Sequence, residues 1–192
     1  MFTLRKPSPC EIDRFIEASR RLPLSYTPSG LVQNPPGVYQ LDELTETIGH
    51  GEEDFVRARG ALAEWRHFQL GWLEIFPSGA PVTTGSVVAV VIRHFGIWSL
   101  NGCRVIATVE EGARFGFSYG TLTNHAERGE ELFEVALNAQ SREVTYRIRA
   151  ASRPRAWPAY LGYPLARTLQ ARFRRESADA MRRIVATPLE TT

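Results

Sequence analysis

Residues 115–121, FGFSYGT, alternate large side chains with small ones along the chain. A period of two is typical of a β-strand with one buried face, because successive side chains of a strand point to opposite sides of the sheet. Residues 143–150, EVTYRIRA, show the same period in Val144, Tyr146 and Ile148. We therefore expect a sheet with one apolar face, and another element must cover that face.

The rest of the second half of the chain has similar stretches, separated by turn residues. Strands are predicted near residues 72–76, 86–95, 102–110, 115–123, 131–138 and 143–151. The connections between them are short and contain Gly, Pro and Asn, which favour turns. Short connections join neighbouring strands of an antiparallel sheet, whereas parallel strands need long crossovers. This half of the chain is therefore predicted to form an antiparallel meander.

The cover for the apolar face is predicted at the end of the chain. Residues 157–185 have helical periodicity, and their apolar positions recur at steps of four: Leu161, Leu165, Leu169 and Phe173. Arginines occupy much of the remaining surface of this helix, a pattern that fits a solvated face and also a membrane or RNA surface. We favour the solvated face, because Glu176 and Asp179 are placed to pair with some of these arginines. Residues 188–192 are predicted to form a flexible tail.

Shorter helices are predicted ahead of the sheet. Ser8 suits an N-cap, with Pro9 at the first helical position and Glu11 three residues after the cap. A short helix is predicted at residues 41–48 and a longer one at residues 52–68. The longer helix has one wide apolar face, formed by Phe55, Ala58, Leu62, Trp65 and Phe68.

Composition excludes several classes of protein. The chain has 192 residues, 43% of them hydrophobic and 23% charged, which fits a single folded domain, predicted over residues 1–187. A net charge of +2 gives no electrostatic reason to expect nucleic-acid binding. The longest apolar stretch, residues 87–92, is too short to span a membrane. The N-terminus lacks the apolar core of a signal peptide, so we expect a cytoplasmic protein; its oligomeric state stays open.

Cofactor and metal motifs are missing from the sequence. It has no Gly-x-Gly-x-x-Gly after a strand and no phosphate-binding loop. Paired-histidine zinc helices and the Gly-x-Ser-x-Gly nucleophile elbow are absent too. We therefore predict no cofactor, no metal site and no serine hydrolase.

Four segments carry a resemblance to a known family: residues 98–106 (WSLNGCRVI), 115–122 (FGFSYGTL), 125–133 (HAERGEELF) and 152–154 (SRP). They resemble the bacterial and plant family DUF1990, a domain of unknown function. The order of elements is similar to that of the helix-grip superfamily, which includes START domains and birch-pollen-allergen-like proteins (SRPBCC). The resemblance implies an α+β fold in which a curved six- to seven-stranded antiparallel sheet wraps around the long C-terminal helix. It assigns no catalytic residue.

His125 and Glu130 are the catalytic candidates, and they lie in a polar connection between two predicted strands. Imidazole titrates near neutrality and a carboxylate can fix its tautomer, so such residues could supply a general base and an orienting group. The alternative is an ordinary hydrogen-bonded turn, which Asn124 and the pair Arg128-Gly129 also favour.

Six residues are predicted ligand contacts: Arg104, Tyr119, Thr121, His125, Trp98 and Tyr146. Tyr119 and Thr121 share the alternating face of residues 115–121, where a phenol could bind a ligand carbonyl. The planar fork of Arg104 could anchor a carboxylate or phosphate if its face of the strand lines a cavity. The alternatives are an exposed arginine and aromatic residues that only fill the core.

The preferred functional hypothesis is a protein that binds a hydrophobic or amphipathic small molecule in a cavity between the sheet and the C-terminal helix. A second hypothesis is an enzyme on the same scaffold, such as a cyclase, isomerase or hydrolase acting on a polyketide- or lipid-like substrate. A third is a non-catalytic interaction module whose interior is filled by its own side chains. The sequence alone leaves all three open.

Overall fold

The computed structural model describes residues 1–154 and 163–187 of the protein. Its strands are β1 (Phe2–Thr3), β2 (Gln40–His50), β3 (Leu73–Phe76), β4 (Val87–His94), β5 (Ile97–Glu111), β6 (Arg114–Thr121), β7 (Glu127–Leu137) and β8 (Glu143–Pro154). Its helices are α1 (Pro9–Ser19), α2 (Glu52–Ala63) and α3 (Tyr163–Ala186), with a 3-10 turn at Arg66–Phe68. The helical start predicted at residue 157 and the tail predicted at residues 188–192 lie outside the described residues.

All strand pairs of the sheet are antiparallel, and seven strands follow one another in the order β2-β8-β7-β6-β5-β4-β3. Strand β1 adds a short pairing to β5, with Phe2 opposite Ser99. Strands β3 to β8 are consecutive neighbours, so the predicted meander is confirmed. Strand β2 precedes them in the chain and pairs with β8, at the opposite end of the sheet from β3.

The two faces of the sheet have different covers. The inner face packs against α2, the 3-10 turn and α3, and it carries the largest core, which includes Phe117 of β6 and Phe133 of β7. The outer face packs against α1, through Ile12 and Ile16, and against the loop at residues 20–39. This arrangement confirms the predicted α+β helix-grip fold, with α3 on the apolar face of the antiparallel sheet.

The two N-terminal helices follow the sequence patterns closely. Helix α1 begins with the predicted capping box, in which Glu11 Oε2 accepts a hydrogen bond from the Ser8 backbone N–H at 2.8 Å. The helix predicted at residues 52–68 ends earlier, because α2 stops at Ala63 and Trp65 adopts a left-handed φ of 58°. The 3-10 turn then continues the same apolar face, and all five predicted face residues are buried.

The helix predicted at residues 41–48 is wrong, because this segment lies inside strand β2. Leu41, Leu44 and Ile48 have spacings of three and four, which imitate a helical face. The period that decides the structure is two: Leu44 and Ile48 join the inner core, whereas Leu41 packs on the outer face. Pairing with β8 along nearly the whole strand outweighs the local periodicity.

Candidate functional site

Side chains of the core occupy the space between the sheet and the C-terminal half of α3. Phe133 is fully buried and its ring centroid lies 5.4 Å from Phe68, 5.4 Å from Phe117 and 6.2 Å from Phe173 of α3. Tyr146, a predicted ligand contact, is 1% exposed, and its hydroxyl is 2.9 Å from the Ser177 hydroxyl of α3. In this region Tyr146 therefore ties the helix to the sheet, as part of a packed core.

A polar pair interrupts this core toward the N-terminal half of α3. Tyr119 of β6 and Glu131 of β7 are directly opposite each other in the sheet, and both point to the inner face. The Tyr119 hydroxyl donates a hydrogen bond to Glu131 Oε2 at 2.7 Å. Burial raises the pKa of the Glu131 carboxyl to about 7, because the charged form loses its hydration. Burial also holds the pKa of Tyr119 well above its usual value, so the phenol stays protonated and donates.

More polar groups extend from this pair to the edge strand β2. Gln170 Nε2 of α3 donates to Glu127 Oε2 at 2.6 Å and to the Ser152 hydroxyl at 3.2 Å. Burial raises the pKa of Glu127. At the edge, both carboxylate oxygens of Asp42 accept from Arg167 of α3, and this pairing lowers the pKa of Asp42. We call Tyr119, Asp42, Glu127, Glu131, Ser152, Arg167 and Gln170 the inner polar cluster.

The inner polar cluster combines groups with distinct chemical capacities. Glu131 remains partly accessible and titrates near neutrality, so it is able to accept or donate a proton at physiological pH. Tyr119 fixes the position of one carboxylate oxygen. Such a pair suits either recognition of a polar ligand group or acid–base chemistry. Among the described residues, no three His, Cys, Asp or Glu side chains are arranged to hold a metal ion.

His67 is a second titratable group on the inner face, and sequence reasoning missed it. It belongs to the 3-10 turn, is 0% exposed, and neither ring nitrogen has a hydrogen-bond partner within the described structure. Its ring lies 4.7 Å from the Phe133 ring and 4.6 Å from the Phe68 ring. Burial lowers the pKa of His67 to about 3, so the imidazole is neutral at physiological pH.

Three of the predicted site residues, Arg104, Glu130 and Thr121, contact the loop at residues 20–39. Arg104 Nη2 donates to the backbone carbonyls of Arg20 and Leu22, at 2.9 and 3.0 Å. Glu130 is 2% exposed, and its carboxylate accepts hydrogen bonds from the backbone N–H groups of Gly30 and Val32. The Thr121 hydroxyl is buried, 2.7 Å from the Ser25 hydroxyl, and accepts from the Gly129 N–H at 3.0 Å. Glu130 and Thr121 thus anchor the loop at residues 20–39 to the sheet.

The remaining two candidates lie apart from the inner polar cluster. His125 Nδ1 accepts a hydrogen bond from the backbone N–H of Glu127 at 2.9 Å, in the connection between β6 and β7. Trp98 packs with the core under α1, and the Lys6 ammonium lies 5.5 Å from the centre of its ring. The predicted ligand contacts are therefore distributed over both faces of the sheet, and Tyr119 is the one that belongs to the inner polar cluster.

Comparisons with known proteins agree with the architecture. The DUF1990 family, described as a domain of unknown function, matches residues 25–180. A UPF0548 protein of Dictyostelium discoideum is 30% identical, and the match covers 96% of each chain. The crystal structure of the hypothetical protein jhp0584 from Helicobacter pylori has a TM-score of 0.55 at 10% identity, covering 81% of this chain and 92% of that one.

A norcoclaurine synthase from Thalictrum flavum, solved in complex with dopamine and hydroxybenzaldehyde, has a TM-score of 0.49 at 10% identity. That match covers 85% of this chain and 97% of the synthase. No helix in the described part of the chain is both long and apolar enough to cross a membrane. The length of the DUF1990 match and the coverage of the Dictyostelium relative are decisive: this chain belongs to the DUF1990 family.

Proposed function

We propose that this protein binds a small amphipathic molecule at the inner polar cluster, between the sheet and α3. The observation that carries the proposal is the hydrogen bond between Tyr119 and Glu131, which lies beside the aromatic core of the inner face. In this arrangement the polar part of the ligand contacts Glu131, and its apolar part lies against the neighbouring aromatic side chains. The proposal treats residues 1–187 as one domain that acts in the cytoplasm.

The Glu131 carboxyl occupies a position that is unfavourable for a charged group, because it is buried beside aromatic side chains. A carboxylate on an apolar face destabilises the fold unless it is paired or protonated, because it loses hydration. Replacement by an apolar residue of similar size would remove that penalty. Titratable groups with strongly shifted pKa values are concentrated at functional sites. The raised pKa of Glu131 therefore makes this residue a candidate for ligand binding or catalysis.

The same pair supports a second candidate, an enzyme that moves a proton. A carboxyl group whose pKa is about 7 is close to half protonated at neutral pH, so it suits both general-base and general-acid steps. Tyr119 would orient the carboxyl and donate to a developing negative charge. A cyclase, isomerase or hydrolase acting on a polyketide- or lipid-like substrate would use these roles.

Native mass spectrometry of the protein purified from its own host tests the proposal. We expect the wild-type protein to carry a small molecule, and we expect Glu131→Gln and Tyr119→Phe to lower its occupancy at least fivefold. The loss of one hydrogen bond to a charged group, about 1.5 kcal/mol or more, accounts for this factor. Extraction and identification of the molecule would then give the substrates to assay for proton transfer.

The matched control is Glu143→Gln, which changes an exposed glutamate of β8 in the same way. This control should retain the bound molecule at the wild-type level. A wild-type protein without any bound molecule would contradict the proposal. Equal occupancy in the wild type and both inner-face variants would contradict the assignment of the site.

A further inference from the structure

The outer face of the sheet has a cleft whose walls are rich in arginine. Its volume is about 640 Å³, and it is lined by residues 23–27, Tyr39, Arg104, Arg128 and Arg153. We call it the arginine cleft. The apolar parts of its wall are contributed by Pro23, Leu24 and the tyrosine rings. It lies on the opposite side of the sheet from the inner polar cluster.

The arginine cleft concentrates positive charge that no ion pair of the described residues neutralises. Arg128 of β7 and Arg153 of β8 are directly opposite each other in the sheet, and like charges in this position repel. No carboxylate in the described part of the chain forms an ion pair with Arg104, Arg128 or Arg153. The Arg128 Nε is buried without a hydrogen-bond partner in that part of the chain. The Arg153 guanidinium lies 4.9 Å from the centre of the Tyr39 ring, a cation–π contact.

Tyr26 supplies an independent indication of a ligand. This residue is 8% exposed and lines the arginine cleft, and within the described structure its hydroxyl makes no hydrogen bond of normal geometry. Burial raises the pKa of Tyr26, so the hydroxyl stays protonated and is available as a donor. The neighbouring carboxylate of Glu130 also raises the pKa of Tyr26, and it accepts hydrogen bonds from the Gly30 and Val32 backbone N–H groups. A ligand oxygen in the cleft would give this buried hydroxyl a hydrogen bond of normal geometry, which stabilises the bound state.

The number of charges indicates the class of ligand. Three guanidinium groups line the cleft, and that of Arg104 is held by two backbone carbonyls, so Arg128 and Arg153 contribute two positive charges that no ion pair of the described residues neutralises. A phosphate monoester carries nearly two negative charges at neutral pH, and its oxygens match the planar fork of arginine. The rings of Tyr26 and Tyr39 and the apolar wall suit an aromatic or apolar organic group.

We propose that the arginine cleft binds a small phosphate monoester with an aromatic or apolar organic part. Arg128 and Arg153 hold the phosphate oxygens, the Tyr26 hydroxyl donates to one of them, and the organic part lies against Tyr39 and Leu24. Binding relieves the repulsion between the two arginines. This site is separate from the inner polar cluster and does not depend on the function proposed there.

Calorimetric titration with phenyl phosphate tests the proposal. We expect phenyl phosphate to bind the wild-type protein, and inorganic phosphate and benzoate to bind at least tenfold more weakly, since each lacks one recognised part. Arg128→Gln, Arg153→Gln and Tyr26→Phe should each weaken the binding of phenyl phosphate about tenfold or more. Arg183→Gln, which removes an exposed arginine of α3, should leave it unchanged.

The melting temperature separates a binding defect from a folding defect. Without ligand, Arg153→Gln should be at least as stable as the wild type, because the cross-strand repulsion is gone. Phenyl phosphate should then raise the melting temperature of the wild type and not that of the variant. Failure of phenyl phosphate to bind would overturn the proposal, and so would equal affinity for benzoate or binding that survives all three substitutions.

The phosphate group could belong to a soluble ester or to a lipid headgroup, and vesicles distinguish the two. Sedimentation of the wild type, but not of Arg153→Gln, with vesicles containing phosphatidic acid would assign the cleft to a lipid-borne phosphate monoester. Binding of phenyl phosphate without any sedimentation would assign it to a soluble ester. Both results presuppose that phenyl phosphate binds, and its failure to bind overturns the phosphate site whatever the vesicles show.

Discussion

A His67→Phe variant should gain about 3 kcal/mol of unfolding free energy relative to the wild type when the pH is lowered from 7 to 4. The reason is that burial lowers the pKa of His67 in the folded protein to about 3, from an ordinary value of 6.5. Below pH 6.5 the His67 imidazole binds a proton in the unfolded chain but stays neutral in the folded protein. The unfolding free energy of the wild type therefore decreases as the pH falls. Phenylalanine does not titrate, so the variant lacks this pH dependence. Urea unfolding of both proteins at pH 7 and pH 4 measures the difference in unfolding free energy.

Comparison of the two proteins isolates the histidine from other titrating groups. Glu131 changes the unfolding free energy with pH in the opposite direction. Its pKa is raised from 4.5 to about 7, so its contribution to stability is lost as the pH rises through that range. This contribution is common to both proteins and cancels. A His67→Leu variant, which does not add volume to the core, should show the same pH dependence as His67→Phe. If the unfolding free energies of the wild type and the variants changed with pH in the same way, the folded protein would accommodate a charged or hydrogen-bonded His67.

Phe133→Ala should lower the unfolding free energy by about 4 kcal/mol, because it leaves a large cavity in the core. Phe133 is fully buried, and the rings of His67, Phe68, Phe117, Tyr119 and Phe173 surround it. These neighbours belong to three different elements, the 3-10 turn, β6 and α3, and have little freedom to collapse into the space. Equilibrium denaturation with urea at neutral pH measures the loss.

The matched control for Phe133→Ala is Phe2→Ala, since Phe2 is 64% exposed in β1. Its unfolding free energy should change by about 0.5 kcal/mol or less. A loss below about 1 kcal/mol for Phe133→Ala would contradict a packed inner face. It would favour instead an adaptable interior, as expected for an open cavity between the sheet and α3.

Much of the fold could be predicted because the local patterns and the tertiary structure agree. The alternation in residues 115–121 persists in β6, where Phe117 and Tyr119 point to the inner core. The capping box at Ser8 is a purely local feature and is confirmed. Strand β2 was not predicted, since its partner β8 lies about a hundred residues later in the chain. Nothing in residues 41–48 alone distinguishes an edge strand from a short helix.

The candidate site was only partly predictable. Glu131 lies two residues before Phe133 in β7, so both side chains point to the same face of the sheet. This spacing could have indicated from the sequence that the Glu131 carboxyl lies on the inner face. Glu130, the residue chosen from the sequence, has the opposite parity and lies on the outer face, where it holds the loop at residues 20–39. His67 gave no signal, because its burial depends on the 3-10 turn that follows α2. Side-chain packing across the sheet, which fills the space around Phe133, is not encoded in any local pattern.

The function proposed for the inner polar cluster depends on a Glu131 carboxyl that titrates near neutrality beside the Tyr119 hydroxyl. Carbon-13 NMR titration of the glutamate carboxyl groups measures this directly, with the Glu131 signal assigned through Glu131→Gln. We expect a midpoint of about 7 for Glu131 in the wild type. We expect a higher midpoint in Tyr119→Phe, because that variant lacks the hydrogen bond that favours the carboxylate. A midpoint near the ordinary value of 4.5 in the wild type would show that Glu131 is hydrated like a surface carboxyl and would rule out its proposed role.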